Sequence, residues 1–529
     1  MKFPISVPIA LQLCCAFVAL GWPLSIHGDD APVVAVEAET VPSTPAESTD
    51  VEAPGPPAVV LTLEKAQQIA LENNPSLFAA AARVKQARAR VDQARSLYFP
   101  QVDASYSATH THLSSNTVEN AKTQALNGSV AGALSQGVQH TLRNGFSTGS
   151  LGQIGLSTLS GLYSGLQAKN AFDEEVENYA ASIQASYIIF DGFSRHYTNA
   201  TARFGRRESE AARREVYRLI LDAVAQSYYG VQLARENVAI AEADEAFNER
   251  QLKEANLRRD RGTGSKSDVL NFEVLVRAAR ASRISAESSR AVSRVALAAL
   301  MGLPDAHLGD ELTVAPLPEV PMEALAFNQD EKVSFALEVR PDMEQSEWQV
   351  ERIKAQLGQR KSVYYPQVSA FAAQEAQTND NGRLEEEDFG HTVGINLSYS
   401  LFAGGRNRAN VAEARYQLEE AEFILDELRI AVAQEVREGA INLKAAEETL
   451  ALQRETREYV NDNRDLVEKE YRAGQGTLVR LNQAQRDLIA AEARLALARV
   501  AVNSARHSLE TATGETISRF EGYISEGTE

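Results

Sequence analysis

From Val411 the apolar positions fall at Ala414, Leu418, Ala421, Leu425, Leu428 and Val432, the three-four alternation of a helix that buries one stripe. The seam runs on through Val436, Gly439, Leu443, Ala446 and Leu450, with an extra four-residue step at Val436 that locally unwinds a coiled coil. Much of it recurs 212 residues earlier, at Val216, Ile220, Val224, Val231, Ala234 and Val238, interrupted by Arg213 and Ser227. No proline falls between Gln101 and Leu303 or after Gln367, so very long helices are permitted. The spacing predicts one from about Ser194 to Arg261 and one from about Arg406 to Ala473, each ~100 Å long at a rise of ~1.5 Å per residue. At Gly262-Thr263-Gly264-Ser265 and Gly474-Gln475-Gly476-Thr477 the pattern breaks, then resumes towards Gly302 and Gly514. Each long helix therefore turns back as a tight hairpin.

Before each hairpin lie two segments of period two. The clearest has Val393, Ile395, Leu397, Tyr399 and Leu401 alternating with Gly394, Asn396, Ser398 and Ser400. Strands are expected at about 100–110, 182–191, 366–376 and 392–402, a length that suits a tilted outer-membrane strand. Four strands are too few to close a barrel, and lipid does not tolerate open edges, so chains must pool their strands.

The order strand, strand, hairpin occurs twice. Pro75 and Pro100 recur as Pro341 and Pro366 at an offset of 266, whereas Phe190, Gly192, Gly262, Gly264 and Gly302 recur at 212. The first half thus carries 54 extra residues between its strands. The predicted fold is mainly α with a small membrane β part, in two repeats at 59–304 and 331–514. A linker (305–330) joins them, a tail (515–529) follows, and the hairpins span 194–302 and 406–514. The inserted loop, 111–180, is rich in Gly, Ser, Asn and Leu.

Composition narrows the function. The 529 residues carry 53 Lys+Arg against 72 Asp+Glu, a net charge of −19, the opposite of a footprint for nucleic-acid phosphates. Both cysteines, Cys14 and Cys15, lie in an apolar N-terminal stretch that reads as a signal peptide, residues 1–28, so the mature chain has no thiol chemistry. Neither cysteine follows the small residue of a lipidation site. Residues 29–58, with many prolines and acids and no Lys or Arg, read as a disordered leader. Mean hydropathy is −0.28, with no long apolar run, which excludes a bundle of membrane helices.

The chain resembles the TolC family of trimeric outer-membrane efflux and secretion channels. The resemblance is carried by Leu61-Thr62-Leu63-Glu64-Lys65-Ala66, Leu71-Glu72-Asn73-Asn74-Pro75, and the twin strand starts Tyr98-Phe99-Pro100-Gln101-Val102 and Tyr364-Tyr365-Pro366-Gln367-Val368. Phe190-Asp191-Gly192, Leu401-Phe402-Ala403-Gly404-Gly405 and the two Gly tips complete it. It implies a homotrimer with a twelve-stranded β-barrel in outer-membrane lipid, continuous with an α-helical barrel in the periplasm of a Gram-negative-type cell. It further implies docking at the tips to a periplasmic adaptor (membrane fusion) protein and an inner-membrane pump of RND or ABC type. The implied function is an exit duct for small molecules or unfolded protein, without catalysis or cofactor. The family's second tip bears acidic residues that line a constriction. The matching positions here hold Arg480 and Gln483, a departure from that ring and from the cation preference it brings.

Asp268 is the equivalent of Arg480 at offset 212, so a trimer of alternating repeats places opposite charges around the periplasmic mouth. These two and Gln483 are the gate candidates. The tips themselves, with Arg258, Arg259, Arg261, Gly262, Gly264 and Lys266 in the first and Gly474 and Gly476 in the second, are the adaptor-docking candidates, locally basic on an acidic chain. Three other motifs are outweighed by bland readings. Gly145-Phe146-Ser147-Thr148-Gly149 matches a nucleophile elbow but lies in a Gly/Ser loop, and Gly262–Ser267 lacks the spacing of a phosphate cradle. His110 and His112 share a strand face but have no third ligand. A soluble periplasmic coiled-coil adaptor or structural spacer remains the alternative.

Overall fold

The computed structural model describes residues 59–112, 114–115, 175–309, 312–319, 328–378 and 384–526. The expected signal peptide and leader, most of the inserted loop, the Gly145–Gly149 match and part of the linker lie outside the described residues. The first half runs β1 (Val59–Leu61), α1 (Leu63–Asn73), α2 (Pro75–Ser96), β2 (Gln101–His112), β3 (Glu175–Phe190), α3 (Ser194–Asp260), α4 (Lys266–Leu300) and β4 (Leu312–Val314). The second half runs α5 (Gln329–Val339), α6 (Pro341–Lys361), β5 (Gln367–Thr378), β6 (Phe389–Ser398), α7 (Arg406–Arg472), α8 (Leu478–Thr513) and α9 (Glu515–Glu526).

Local sequence explains where these elements begin. The Asn74 side chain accepts from Ser76 N at 2.9 Å, and Pro75 opens α2, where a missing N–H costs nothing. Pro341 opens α6 in the same way after Arg340. Both long helices have 67 residues and are entered through two successive left-handed residues, Gly192 (φ 64°) and Phe193 (φ 70°), then Gly404 (φ 60°) and Gly405 (φ 84°). Phe193 holds this unfavourable conformation while its ring packs edge-on against Phe190 at 5.6 Å and Tyr365 at 6.0 Å.

Because the molecule is built on long helices, its apolar residues gather in successive small cores. One joins α5 and α6 to α7 and α8 through Met343, Val432, Val436, Leu443 and Val502. Another joins β1 and α1 to α3 and α4 through Leu61, Val224, Val231, Leu297 and Met301. Two buried arginines tie these levels together: Arg218 Nη1 donates to the Thr511 carbonyl at 3.2 Å and Arg340 Nη1 to the Ala512 carbonyl at 2.9 Å, where α8 ends before Gly514 (φ 83°).

The four longer strands form one antiparallel sheet of order β2-β3-β5-β6. The pairings Val102↔Ala185, Tyr106↔Ala181, Tyr187↔Ala370 and Ile395↔Ala370 set one face apolar. The other face carries Asp103 opposite Gln184, Ser105 bonded to Ser182 at 2.8 Å, and Asn396 opposite Ser369.

Three boundaries differ from the periodicity. β3 starts at Glu175 instead of about 182, because its first residues pair with β2 without apolar alternation. β6 spans Phe389–Ser398 instead of 392–402: its partner β5 begins at Gln367, opposite Ser398, so Tyr399 and Leu401 keep the alternation beyond the ladder. The linker contributes β4, which pairs in parallel with β1, and the tail contains helix α9.

Candidate functional site

At the far end of each hairpin two glycines do different work. Gly262 (φ 80°) and Gly474 (φ 75°) take left-handed conformations that a side chain would strain. At Gly264 a Cβ would lie 2.8 Å from Arg259 N, and at Gly476 2.9 Å from Tyr471 N, so these positions require the absence of a side chain. The turns close with Thr263 N donating to Arg258 O and Gln475 N to Glu470 O, both at 2.9 Å. Ser265 and Thr477 then cap the returning helices.

The two tips of one chain pack against each other. Phe247, Val269 and Phe272 share a buried cluster with Val467, Leu481 and Ala484. Polar links surround it: Gln251 Nε2 donates to Glu468 at 2.9 Å, Gln485 Nε2 to Asp244 at 2.8 Å and Asn482 Nδ2 to Asn271 at 3.1 Å. The Arg258 guanidinium, paired with Glu254 at 2.8 Å, lies 4.9 Å above the Tyr471 ring. Burial first, and then the nearby Asp268 charge, push the Tyr471 hydroxyl above its ordinary pKa.

Within one chain each gate candidate has its own neighbour. Arg480 is bound by Glu470 of its own hairpin at 3.0 Å, half-buried Asp268 faces Tyr471 electrostatically, and Gln483 donates to Asp487 at 2.8 Å. Of the basic tip residues, Arg258 and Arg259 are occupied by Glu254 and Asp260, while Arg261 and Lys266 are exposed at the turn. A groove of about 540 Å³ beside the first tip is lined by Leu252, Leu257 and Val276, with Glu249, Lys253 and Arg280 at its rim. His110 pairs with Glu177 across the strands at 3.7 Å; among the described residues no group of three metal-binding side chains is present.

Glu470, Tyr471 and the groove were not anticipated from the sequence, yet a signal for the first was present. At offset 212 Arg258 and Asp268 become Glu470 and Arg480, so charges invert between the repeats. The ion pair Glu245–Arg280 (2.8 Å) between α3 and α4 recurs inverted as Arg457–Glu492 (3.2 Å) between α7 and α8, a swap that keeps the link within each hairpin while reversing its polarity.

The profile of the outer membrane efflux protein family matches residues 66–142, 148–303 and 333–515, most of the chain. The chain belongs to that family. Outer membrane efflux protein BepC of Brucella suis is 26% identical over 67% of this chain and 76% of its own length. Alkaline protease secretion protein AprF of Pseudomonas aeruginosa is 24% identical over 61% of this chain and 70% of its own. Among solved structures, the Campylobacter jejuni CmeC outer membrane channel superposes with a TM-score of 0.66 at 16% identity, covering 88% of this chain and 89% of that one. At that identity the likeness speaks for the fold. As an outer membrane efflux protein of the TolC type, the chain is an outer-membrane exit duct, and its family is one of transport channels.

Proposed function

We propose that this outer membrane efflux protein acts as a homotrimer, passing small molecules or unfolded protein to the outside from a periplasmic adaptor and an inner-membrane pump of RND or ABC type. The observation that carries the reading is a four-stranded sheet, apolar on one face and polar on the other, whose edge strands β2 and β6 have no second partner among the described residues. Such edges are not tolerated in lipid, so other copies must pair with them. Two copies would give eight strands, a barrel whose interior side chains fill; three give twelve, the smallest multiple with room for a passage. Val393 at 78% exposure and Ile395 at 73% suit the lipid side of such a barrel and have no place on a soluble spacer. Light scattering in detergent should return three chains per particle, and a monomer as the only species would sink the reading.

The gate is proposed at the same level of all six hairpins, where Asp268 and Arg480 alternate. Each pair, with Arg480 exposed, is worth only ~0–1 kcal/mol, so the effect depends on threefold repetition at a narrow mouth. Asp268→Arg and Arg480→Asp should each raise single-channel conductance in planar bilayers, the second more strongly because it sets a new carboxylate beside Glu470. The double exchange should restore the closed state. If neither single change alters conductance, the charges are not the gate. Exposed Arg261 and Lys266 are proposed to meet the adaptor: Arg261→Glu with Lys266→Glu should abolish export in cells while leaving trimers intact, and undiminished export would remove the tip turn from the docking site.

A further inference from the structure

Helices α2 and α6 are equivalent at an offset of 266, yet their surroundings differ. Helix α6 is wedged between α3 and α7, whereas α2, among the described residues, packs mainly on α3. It buries Leu77, Ala80, Val84, Ala87, Val91 and Ala94 there, and among the described residues its other face is uncovered, with Phe78 60% exposed. The converse holds for the long helices. Phe204, Ala211 and Arg218 form a heptad stripe on α3 whose Phe204 stacks on Trp348 of α6 at 5.9 Å, while Ala211 and Arg218 are buried. Their equivalents on α7, Tyr416, Phe423 and Ile430, are 67%, 66% and 71% exposed. One chain therefore carries the α3–α6 joint complete and the two halves of its replica, on α7 and α2, unjoined. Its own α2 lies on α3, so the α2 that covers α7 must come from another copy.

Charge says how the halves fit. In the completed joint Arg207 and Arg214 of α3 meet a first half of α6 that is purely acidic, Arg214 pairing with Glu344 and Arg207 lying 4.5 Å above the Trp348 ring, while one pair further along, Glu208 with Arg352 at 2.6 Å, runs in the opposite sense. On the unjoined halves the signs are exchanged. From Glu413 to Glu427 α7 bears six acids against Arg415 alone, and α2 bears exposed Arg83, Lys85, Arg88 and Arg90 with no acid among them.

We propose that the joint between copies is a polarity-inverted replica of the joint within a chain, with the acidic, aromatic face of α7 seated on the basic face of α2 of a second copy. This rests on the multi-copy reading above and adds which faces meet and why. Pairing α2 with α2 or α7 with α7 brings like charges together, so only head-to-tail closure is allowed. Residue equivalence also fixes the register: the Phe204–Trp348 contact maps onto Tyr416 against Ala82, an aromatic ring over a small residue.

Two measurements test this. Arg83→Glu/Arg88→Glu/Arg90→Glu and Glu419→Lys/Glu420→Lys/Glu422→Lys should each raise the monomer-to-oligomer ratio in detergent by about tenfold or more, and combining all six should return it near the wild-type value. Wild-type ratios in both triple variants, or a combination no better than either, would overturn the inference. In case the reversals disturb folding, Ala82→Cys/Tyr416→Cys, in a chain with Cys14 and Cys15 replaced by Ala, should give covalent multimers in intact membranes with a short bis-maleimide. Phe204→Cys/Trp348→Cys should cross-link only within a chain. Failure of the first pair to form multimers overturns the inference while the wild-type oligomer stands. A wild-type protein that is monomeric in the same detergent fails the multi-copy reading itself.

Discussion

Arg340 is a buried charge held by two carboxylates and a helix-end carbonyl, and its removal has a calculable effect. It is 3% exposed, and its guanidinium contacts Asp342 at 3.0 and 2.7 Å, Glu435 at 2.6 Å and the Ala512 carbonyl at 2.9 Å. Burial lowers its pKa, but pairing with the two carboxylates more than reverses this, leaving it raised. For Asp342 burial pushes upward and the Arg340 hydrogen bonds prevail, leaving its carboxyl below the usual aspartate range. Arg340→Met keeps the apolar stem but strands the Asp342 carboxylate and the helix-end carbonyl. Stranding a buried partner costs about 3–5 kcal/mol, and since Glu435 is half exposed and regains water, we take the lower end, about 3 kcal/mol. If the joint forms late in folding, the loss appears as unfolding roughly 100-fold faster at neutral pH, measured by circular dichroism at fixed temperature. Adding Asp342→Asn removes the stranded charge and should recover part of the loss. The sign of the pH dependence follows from the depressed carboxyl. Its stabilisation is fully present above the unfolded aspartate pKa and is lost as pH falls through the folded value, so the gap between wild type and Arg340→Met should narrow on acidification. An Arg340→Met variant that unfolds at the wild-type rate, or is not improved by Asp342→Asn, would refute this reasoning.

The strand-to-helix turn gives a sharper steric prediction: Gly192→Ala should block assembly, since its Cβ would lie 2.6 Å from the Ser362 carbonyl, whereas Gly404→Ala, with open space around it, should be strained but tolerated. Trimer yield in outer-membrane fractions separates the two, and equal yields would contradict the steric account. Deleting residues 128–165 should leave trimers intact, because loop closure cost rises slowly with length; loss of the trimer would assign that segment a bracing role. Tyr228→Phe should loosen the β1 edge by about 1 kcal/mol through loss of its 2.9 Å bond to the Leu61 carbonyl, read as faster amide exchange around Leu61, and unchanged exchange would refute the link.

The long elements were legible because their signals are local and repeated. Periodicity placed the first long helix within a residue of its observed end at Asp260, and the twin Gly tips marked both turns. The short elements were not. The pairing of Val59–Leu61 with Leu312–Val314 joins three-residue strands about 250 residues apart, too short for any period to appear. Tail helix α9 follows the left-handed Gly514 directly, and that glycine reads equally well as a terminus. At the tips the sequence offered Asp268 and Arg480 as equivalent positions that would alternate around a ring of copies. Within a single chain Arg480 also pairs with Glu470, which sits one hairpin turn away and bears the opposite charge to its first-repeat equivalent Arg258. Arg340 shows the same limit: an N-terminal arginine before Pro341 looks like a solvated cap until the end of α8 arrives from 172 residues away.

As proposed above, a chain with two repeats and four strands completes itself only in a ring of three. Electron microscopy of the full-length protein in lipid nanodiscs tests this most directly. The account predicts a threefold particle in which a twelve-stranded barrel in the disc continues into a tube of long helices, with α2 of each copy against α7 of the next. A particle of one or two chains, or a ring in which α2 faces α2, would contradict it.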